Sequence, residues 1–459
     1  MGGSRDVQYG TYVWDRWADA DRENGNEHGT DERDATDRIA LFAETEAGER
    51  GTYTFGELRA AANGLADYLV FPGCLPGDRV GVNVPQKPET VISHLAAWKL
   101  GAVSVPLSTL FGPDALSYRL ADSEAVAFVV DDSNVDTLRG VRGTLPALDA
   151  VVTVDAAARR GKTSFEAAIG AGNGEGDNGG DSDTDGSSSD GDGGDTPERA
   201  VETVTTDAAE DAILIYTSGT TGDPKGVRHA HRVLLGHLPL FLTTFCDMAI
   251  EESDVYWTPA EWAWIASLFD VVFPGLFYGK PVFAYSGSEF DAETTFGLIE
   301  RYELTNVFAP PTALRMMAQA DASTYDLDSV RVLPSGGESL GASIVEWAEG
   351  VFGGAAVHEG YGQTEANMLV GDCTSLADFR EGNDRPARPG PRDRGRRSRD
   401  RRTPRTRYRR RDRGPLRGRS DLFRGVLERP RGDRREGPER LAVYRGPGRD
   451  GRGWLRDLS

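Results

Sequence analysis

The sequence predicts an α/β fold, and three observations carry that prediction. Strand-like and helix-like patterns alternate from Arg79 to Asp155, the order of a sheet with crossover helices. The β-branched run Ile213–Tyr216 reads as a buried strand and opens directly onto Thr217–Gly226, TSGTTGDPKG. Two later strand patterns, Val330–Leu333 and the one starting at Val357, also run into polar turns rich in glycine, Pro334–Leu340 and Gly360–Glu365.

In chain order, residues 1 to about 36 are a polar, acidic lead-in, and the first element falls near Arg38–Phe42. Thr54 is placed to cap a helix reaching Leu69, with Glu57 three residues on completing a capping box. Arg79–Val84 reads as a strand, Pro88–Leu100 as a helix and Ala102–Pro106 as the next strand. His94 and Trp98 lie one turn apart on that helix, and His94 is read as a packed residue rather than a ligand. Ala171–Glu198 is almost wholly Gly, Asp, Ser, Asn and Glu. It cannot bury enough surface to offset its chain entropy, so it reads as an acidic disordered linker; no calcium-loop spacing fits it. Val233–Met248 looks helical. Val255–Trp264 holds three tryptophans in eight residues, which suits either core or the wall of a pocket. Pro281–Tyr285 and Asn306–Ala309 read as short strands, and Pro311 suits the first turn of the helix after them. The Gly360–Glu365 segment is read as a strand-to-helix turn.

Composition narrows the function classes. At 459 residues the chain has material for two to four structural units. Its net charge of −21 and pI of about 4.8 would repel nucleic acid and anionic membranes. The only lysines are Lys87, Lys99, Lys162, Lys225 and Lys280. An acid-rich, lysine-poor chain of mean hydropathy −0.45 suits high intracellular salt, where screening removes self-repulsion. Cys74, Cys246 and Cys373 are too far apart for a disulfide framework or a zinc site. The sequence shows neither a signal pattern nor an apolar run of spanning length, and the compartment expected is the cytoplasm.

Thr217–Gly226 carries the chemistry. Glycines let the backbone turn N–H groups toward an anion, hydroxyls add donors, and Lys225 brings a mobile charge that suits phosphate. Gly226 after Lys225 excludes a Walker A loop. The bland alternative is a polar hairpin tip. ILIYTSGTTGDPKGVRHAH, from Ile213 to His231, resembles the phosphate loop of the AMP-forming acyl-CoA synthetases, the adenylate-forming enzymes. PQKPETVISHLAAWKLGAVSVPLS and VHEGYGQTEAN resemble other parts of the same large domain, in the same order.

The resemblance implies a large N-terminal domain of αβαβα-type subdomains plus a small β subdomain, with the C-terminal small domain absent. Residues 1–170 and 207–380 would be its two halves, joined by the acidic linker over 171–206. Thr217, Ser218, Gly219, Thr220, Thr221, Gly222 and Lys225 would then hold the β- and γ-phosphates of ATP. Gly336, Gly337 and Glu338 would lie beside the adenine, on which Tyr361 stacks, with Gly362 and Gln363 alongside. Thr364 would donate to the α-phosphate and Glu365 would hold Mg²⁺, so Thr364, Glu365 and Lys225 form the catalytic set. Trp262, Trp264 and Gly362 would shape the acyl pocket. Acetate-specific relatives carry tryptophan in the position of Gly362, and glycine there implies open space for a medium-length acid. The implied reactants are a carboxylic acid, ATP and CoA, with neither nucleic acid nor membrane as partner; a homo-oligomer is left open. The rivals are an adenylate-forming enzyme with another acceptor, such as a carrier protein, and an inactive nucleotide- or acyl-binding protein.

The pattern stops near Glu381. Residues 381–459 hold 27 Arg, no Lys and 12 Asp plus Glu, a net of +15, whereas the residues before them carry 25 basic and 61 acidic side chains, a net of −36. No apolar periodicity for a core survives there. An Arg-rich nucleic-acid-binding tail or a disordered basic tail would fit the composition. A frameshifted translation explains more. Read one base later, the codons of Arg385–Arg392 permit GRPAPGHE, those of Gly425–Glu436 permit GYWNDPEATAEK, and those of Leu441–Leu455 permit WLYTGDLGEMDEDGY. These strings are not residues of the chain. They are what the family would show, in order, and they put an aspartate where Gly446 stands.

Overall fold

The computed structural model describes residues 17, 38–155, 162–171, 202–217, 223–376 and 423–427, all within one unit, Met1–Leu427. The acidic linker lies outside them save for a few residues at either end, and so does the Arg-rich stretch apart from 423–427. Two eight-stranded sheets form the scaffold. With strands numbered along the chain, the first sheet runs β16 (Phe423–Leu427), β9 (Lys225–Ala230), β8 (Asp211–Thr217), β4 (Val103–Pro106), β3 (Arg79–Asn83), β5 (Ala125–Asp131), β6 (Ala150–Val154) and β7 (Thr163–Ser164). The second runs β15 (Asn367–Gly371), β14 (Ala356–Gln363), β13 (Val332–Gly336), β12 (Asn306–Val307), β10 (Tyr256–Trp257), β11 (Val282–Ser286), β1 (Ile39–Thr45) and β2 (Arg50–Thr54). Pairing is parallel except at β8–β9, β9–β16, β14–β15 and β1–β2. The fold is therefore α/β, as the alternation predicts. The small β subdomain that the resemblance implies is not among the described residues.

Local chemistry explains the element boundaries. The helix Phe55–Val70 starts on the expected capping box: Glu57 N–H donates to Thr54 Oγ1 (3.1 Å), and Thr54 N–H donates to Glu57 Oε2 (2.8 Å). The helix Pro88–Lys99 is buried almost all round, which is why its sequence lacks a polar face. His94 is part of that core, its ring 5.8 Å from Trp98 and edge-on to Phe273 at 5.9 Å. Burial away from water pushes its pKa down to about 3.

Two expectations need correcting. The helix predicted over Val233–Met248 stops as an α-helix at Leu240 and continues as a π turn, Phe241–Phe245. Pro239, which has no N–H for the i→i−4 ladder, sits at that transition. The strand predicted over Val330–Leu333 instead spans Val332–Gly336, so Pro334 and Ser335 belong to the strand rather than the turn. Pro334 has no N–H to give the sheet, and its carbonyl accepts from Ala309 N–H (3.0 Å).

Gln86 ties the two sheets together. From the segment after β3, its Nε2 donates to the carbonyls of Thr258 (2.9 Å) and Ala260 (2.8 Å). Its Oε1 accepts from Trp257 Nε1 and from Tyr285 N–H, both at 3.2 Å. A buried amide with all four contacts met locks register where a half-satisfied one would cost stability. Among the described residues, no helix is long and apolar enough to cross a membrane.

Candidate active site

Three polar motifs leave the carboxyl ends of parallel strands, where open α/β sheets bind ligands. The first follows β8. Its strand partner β9 begins at Lys225, opposite Thr217, so the motif is the turn of a β-hairpin. Ser218, Gly219, Thr220, Thr221 and Gly222 lie outside the described residues. Both shoulders of the hairpin are held by the helix Pro113–Asp122: Tyr118 OH donates to Pro224 O (3.0 Å), and Tyr216 OH donates to Asp122 Oδ2 (2.9 Å). Thr217 Oγ1 lies 3.5 Å from Lys225 O, across the hairpin. Lys225 is exposed and has no ion-pair partner among the described residues.

The second motif ends β13. A Cβ on Gly336 would stand 2.8 Å from Gly360 O, so this glycine serves the close approach of β13 to β14. Gly337 differs. It has φ +98, and nothing described lies within 4 Å of its Cβ position, so it turns the chain at an open surface. Glu338 pairs with Arg315 at 3.3 Å across a half-exposed surface, and Glu359 Oε1 accepts Leu340 N–H at 2.7 Å, closing the turn.

The third motif ends β14, and here the structure departs from the expected strand-to-helix turn. β14 continues through Gln363, turns over Thr364–Ala366 and returns as β15. Asn367 takes φ 51, the left-handed region that asparagine tolerates better than most residues, and NMLVG then favours a strand over a helix. Tyr361 is 56% exposed, one residue beyond the Gly336–Gly360 pair and therefore near Gly337. The Thr364 hydroxyl and the Glu365 carboxylate are half-buried and make no hydrogen bond or ion pair among the described residues.

Gly362 also needs correcting. A Cβ there would lie 2.3 Å from Asn367 O, so the space that a side chain would take is filled by the backbone of β15 rather than left open. The tryptophan segment splits. Trp257 and Trp262 are core residues at 2% and 1% exposure, while Trp264 is 57% exposed.

One contact joins the first and third motifs. His229, buried on β9, has its Nε2 2.8 Å from Thr364 O. A carbonyl only accepts, so Nε2 carries the hydrogen. Burial lowers the pKa of His229 to about 4, which keeps the ring neutral. Lys225 and His229 share a face of β9. They are four residues apart, roughly 13 Å at about 3.3 Å per residue. The far side of the turn is held by Asp270, whose Oδ1 accepts from Asn367 Nδ2 (2.8 Å). The sequence reading gave no role to His229, Asp270, Tyr118 or Gln86: His229 and Gln86 lie within stretches that carry the resemblance, but the partner of each is far away along the chain.

A family model described as AMP-binding enzyme matches residues 30–396. The chain belongs to the AMP-binding enzymes. The chain of this AMP-binding enzyme is 26% identical over 367 residues to a mitochondrial acyl-coenzyme A synthetase of Homo sapiens, covering 80% of this chain and 57% of that one. It is 30% identical over 349 residues to an acetyl-coenzyme A synthetase of Methanothrix thermoacetophila, covering 72% and 49%. Among solved structures it resembles the acyl-CoA synthetase of Brucella canis, with TM-score 0.65 and 26% identity over 85% of this chain and 62% of that chain. The chain thus spans about half to three-fifths of the length of these relatives.

Proposed function

We propose that this AMP-binding enzyme is an acid–CoA ligase, which activates a carboxylic acid with ATP and passes the acyl group to CoA, with turnover impaired in this chain by the out-of-frame stretch proposed below. The acid's oxygen attacks the α-phosphorus of ATP, the bond to the β-phosphate oxygen breaks, and pyrophosphate leaves with the electron pair. The CoA sulfur then attacks the acyl carbon, and AMP leaves. The observation that carries this reading is the His229–Thr364 contact. It sets the turn bearing Thr364 and Glu365 against the strand that begins at Lys225.

In this reading Thr217–Gly222 and Lys225 bind the β- and γ-phosphates. Gly336, Gly337 and Glu338 border the adenine and Tyr361 stacks on it, while Gly362 and Gln363 carry the chain onward to Thr364, the donor to the α-phosphate. A magnesium ion fits Glu365: it takes one or two carboxylates and completes its shell with phosphate oxygens and water, and this carboxylate has no competing cation among the described residues. The ion would neutralise charge developing on the phosphates. Trp264 is the candidate to border the acyl group, since Trp262 is packed into the core. The test is acid-dependent pyrophosphate release from ATP, followed by CoA-dependent AMP release. Activity that needs neither acid nor CoA would refute the reading.

Residues 381–459 are translated out of frame, on the strength of the composition break and the three ordered codon matches. Genomic sequencing across the codons for Glu381–Arg385 tests this, and an uninterrupted frame in the native gene refutes it. The excess of 36 negative charges before that stretch makes folding salt-dependent. The melting temperature should rise in molar KCl relative to dilute buffer, and an equal or lower value would count against the idea.

A further inference from the structure

We propose that Asp270 is a positioning residue: through Asn367 it holds the Thr364–Glu365 turn in the conformation that presents these two side chains to the nucleotide. The proposal deepens the reading above and rests on it for the word nucleotide; the holding of the turn stands on geometry alone.

Asp270 lies in a π turn, Leu268–Val272, within an otherwise α-helical segment, and such turns recur at functional sites. Its neighbours Leu268, Phe269, Val271 and Val272 all belong to the main hydrophobic core. Asp270 itself is 4% exposed, and no Lys, Arg or His pairs with it among the described residues. An unpaired carboxyl in such a place is costly, and an apolar residue would pack there at lower cost. Burial pushes its pKa up to about 8, so at neutral pH it is mostly the neutral acid. The one partner it has among the described residues is the Asn367 amide at 2.8 Å.

Asn367 is itself buried and left-handed, and it closes the turn: Ala366 N–H donates to Gln363 O (3.0 Å), and Asn367 pairs with Gln363 across the hairpin. The opposite end is held by His229. The turn is therefore held at both ends, at the Thr364 carbonyl by His229 and at the Asn367 side chain by Asp270, while the Thr364 hydroxyl and Glu365 carboxylate stay uncommitted. That is the arrangement a preorganised site needs.

Three variants separate this role from bulk stability. Asp270→Asn keeps an acceptor of the same size without ionising, Asp270→Ala removes it, and Asn367→Gly tolerates φ 51 but loses the amide. Backbone hydrogen exchange at Ala366 and binding of ATP with Mg²⁺ would be measured for each. Asp270→Asn should match the parent in both. Asp270→Ala and Asn367→Gly should exchange about tenfold faster at Ala366, with β8 and β9 unchanged, and bind ATP with Mg²⁺ about tenfold more weakly. Unchanged exchange at Ala366 in Asp270→Ala, or in Asn367→Gly should the alanine variant not fold, would overturn the proposal. So would an Asp270→Asn protein as perturbed as the alanine one. A parent protein that binds no ATP would defeat the functional reading, and the exchange data would still decide the clamp.

Discussion

The two hairpins of the site, β8–β9 and β14–β15, solve one problem in opposite ways. Each leaves the end of a strand that pairs in parallel with a neighbour, and each is built from glycines and hydroxyls. The first is tethered at its shoulders, where tyrosine hydroxyls from Tyr118 and Tyr216 join it to one surface helix. The second is clamped at its two ends by buried groups, His229 at the Thr364 carbonyl and Asp270 at the Asn367 side chain. In the proposed function the first hairpin meets the phosphates through its turn, and the contacts described fix its base. A turn that offers two side chains at set positions has to be rigid itself.

Acid should break this contrast most strongly. His94, His229, His231 and His237 have folded pKa values of about 3 to 4, lowered by burial. The unfolded chain binds their protons first, so the stability they hold is full above about pH 6.5 and is lost as pH falls toward 4. Each such group costs about 1.4 kcal/mol per pH unit across that window. Asp270 and Glu89, raised to about 8 and 7 by burial, act oppositely and lower stability as pH rises from about 4 to their own values. Four histidines outweigh two acids below pH 6.5, which places the stability maximum near neutrality. Urea unfolding between pH 4.5 and 8.5 checks it; stability that is flat down to pH 4.5 would contradict these assignments. Hydrogen exchange over the same range should show the β14–β15 turn loosening before the base of the β8–β9 hairpin.

His229→Ala isolates that clamp at neutral pH. It leaves Thr364 O without its donor and opens a cavity, at a cost of about 1–3 kcal/mol. ATP affinity should fall with it, while Tyr118→Phe should lower affinity only a few-fold, since a single neutral hydrogen bond contributes about 1 kcal/mol. Equal effects of the two variants on unfolding would erase the distinction between clamp and tether.

Much of the scaffold was legible because its causes are local. Thr54 and Glu57 are three residues apart, β8 has an unbroken apolar run from Ala212 to Tyr216, and Pro311 starts its helix because proline has no N–H to lose there. The clamps were illegible because their causes are remote: His229 meets a carbonyl 135 residues away, Asp270 an amide 97 away and Gln86 a carbonyl 172 away. The Gly360–Glu365 motif was read correctly as polar and glycine-rich, but its continuation into β15 depended on Asn367 adopting a left-handed angle. At Gly362 the missing side chain was read as room for a ligand, when the room is taken by the opposite strand.

That the two hairpins make one nucleotide site is tested most directly by titrating ATP with Mg²⁺ into the parent, Lys225→Ala and Glu365→Gln proteins. Lys225 belongs to the tethered hairpin and Glu365 to the clamped turn. The prediction is one binding event per chain, weakened by both substitutions, with roughly 10- to 100-fold lost in Lys225→Ala as a charge-assisted contact disappears, and no change in melting temperature. Binding that either substitution leaves untouched would mean that its hairpin lies outside the site.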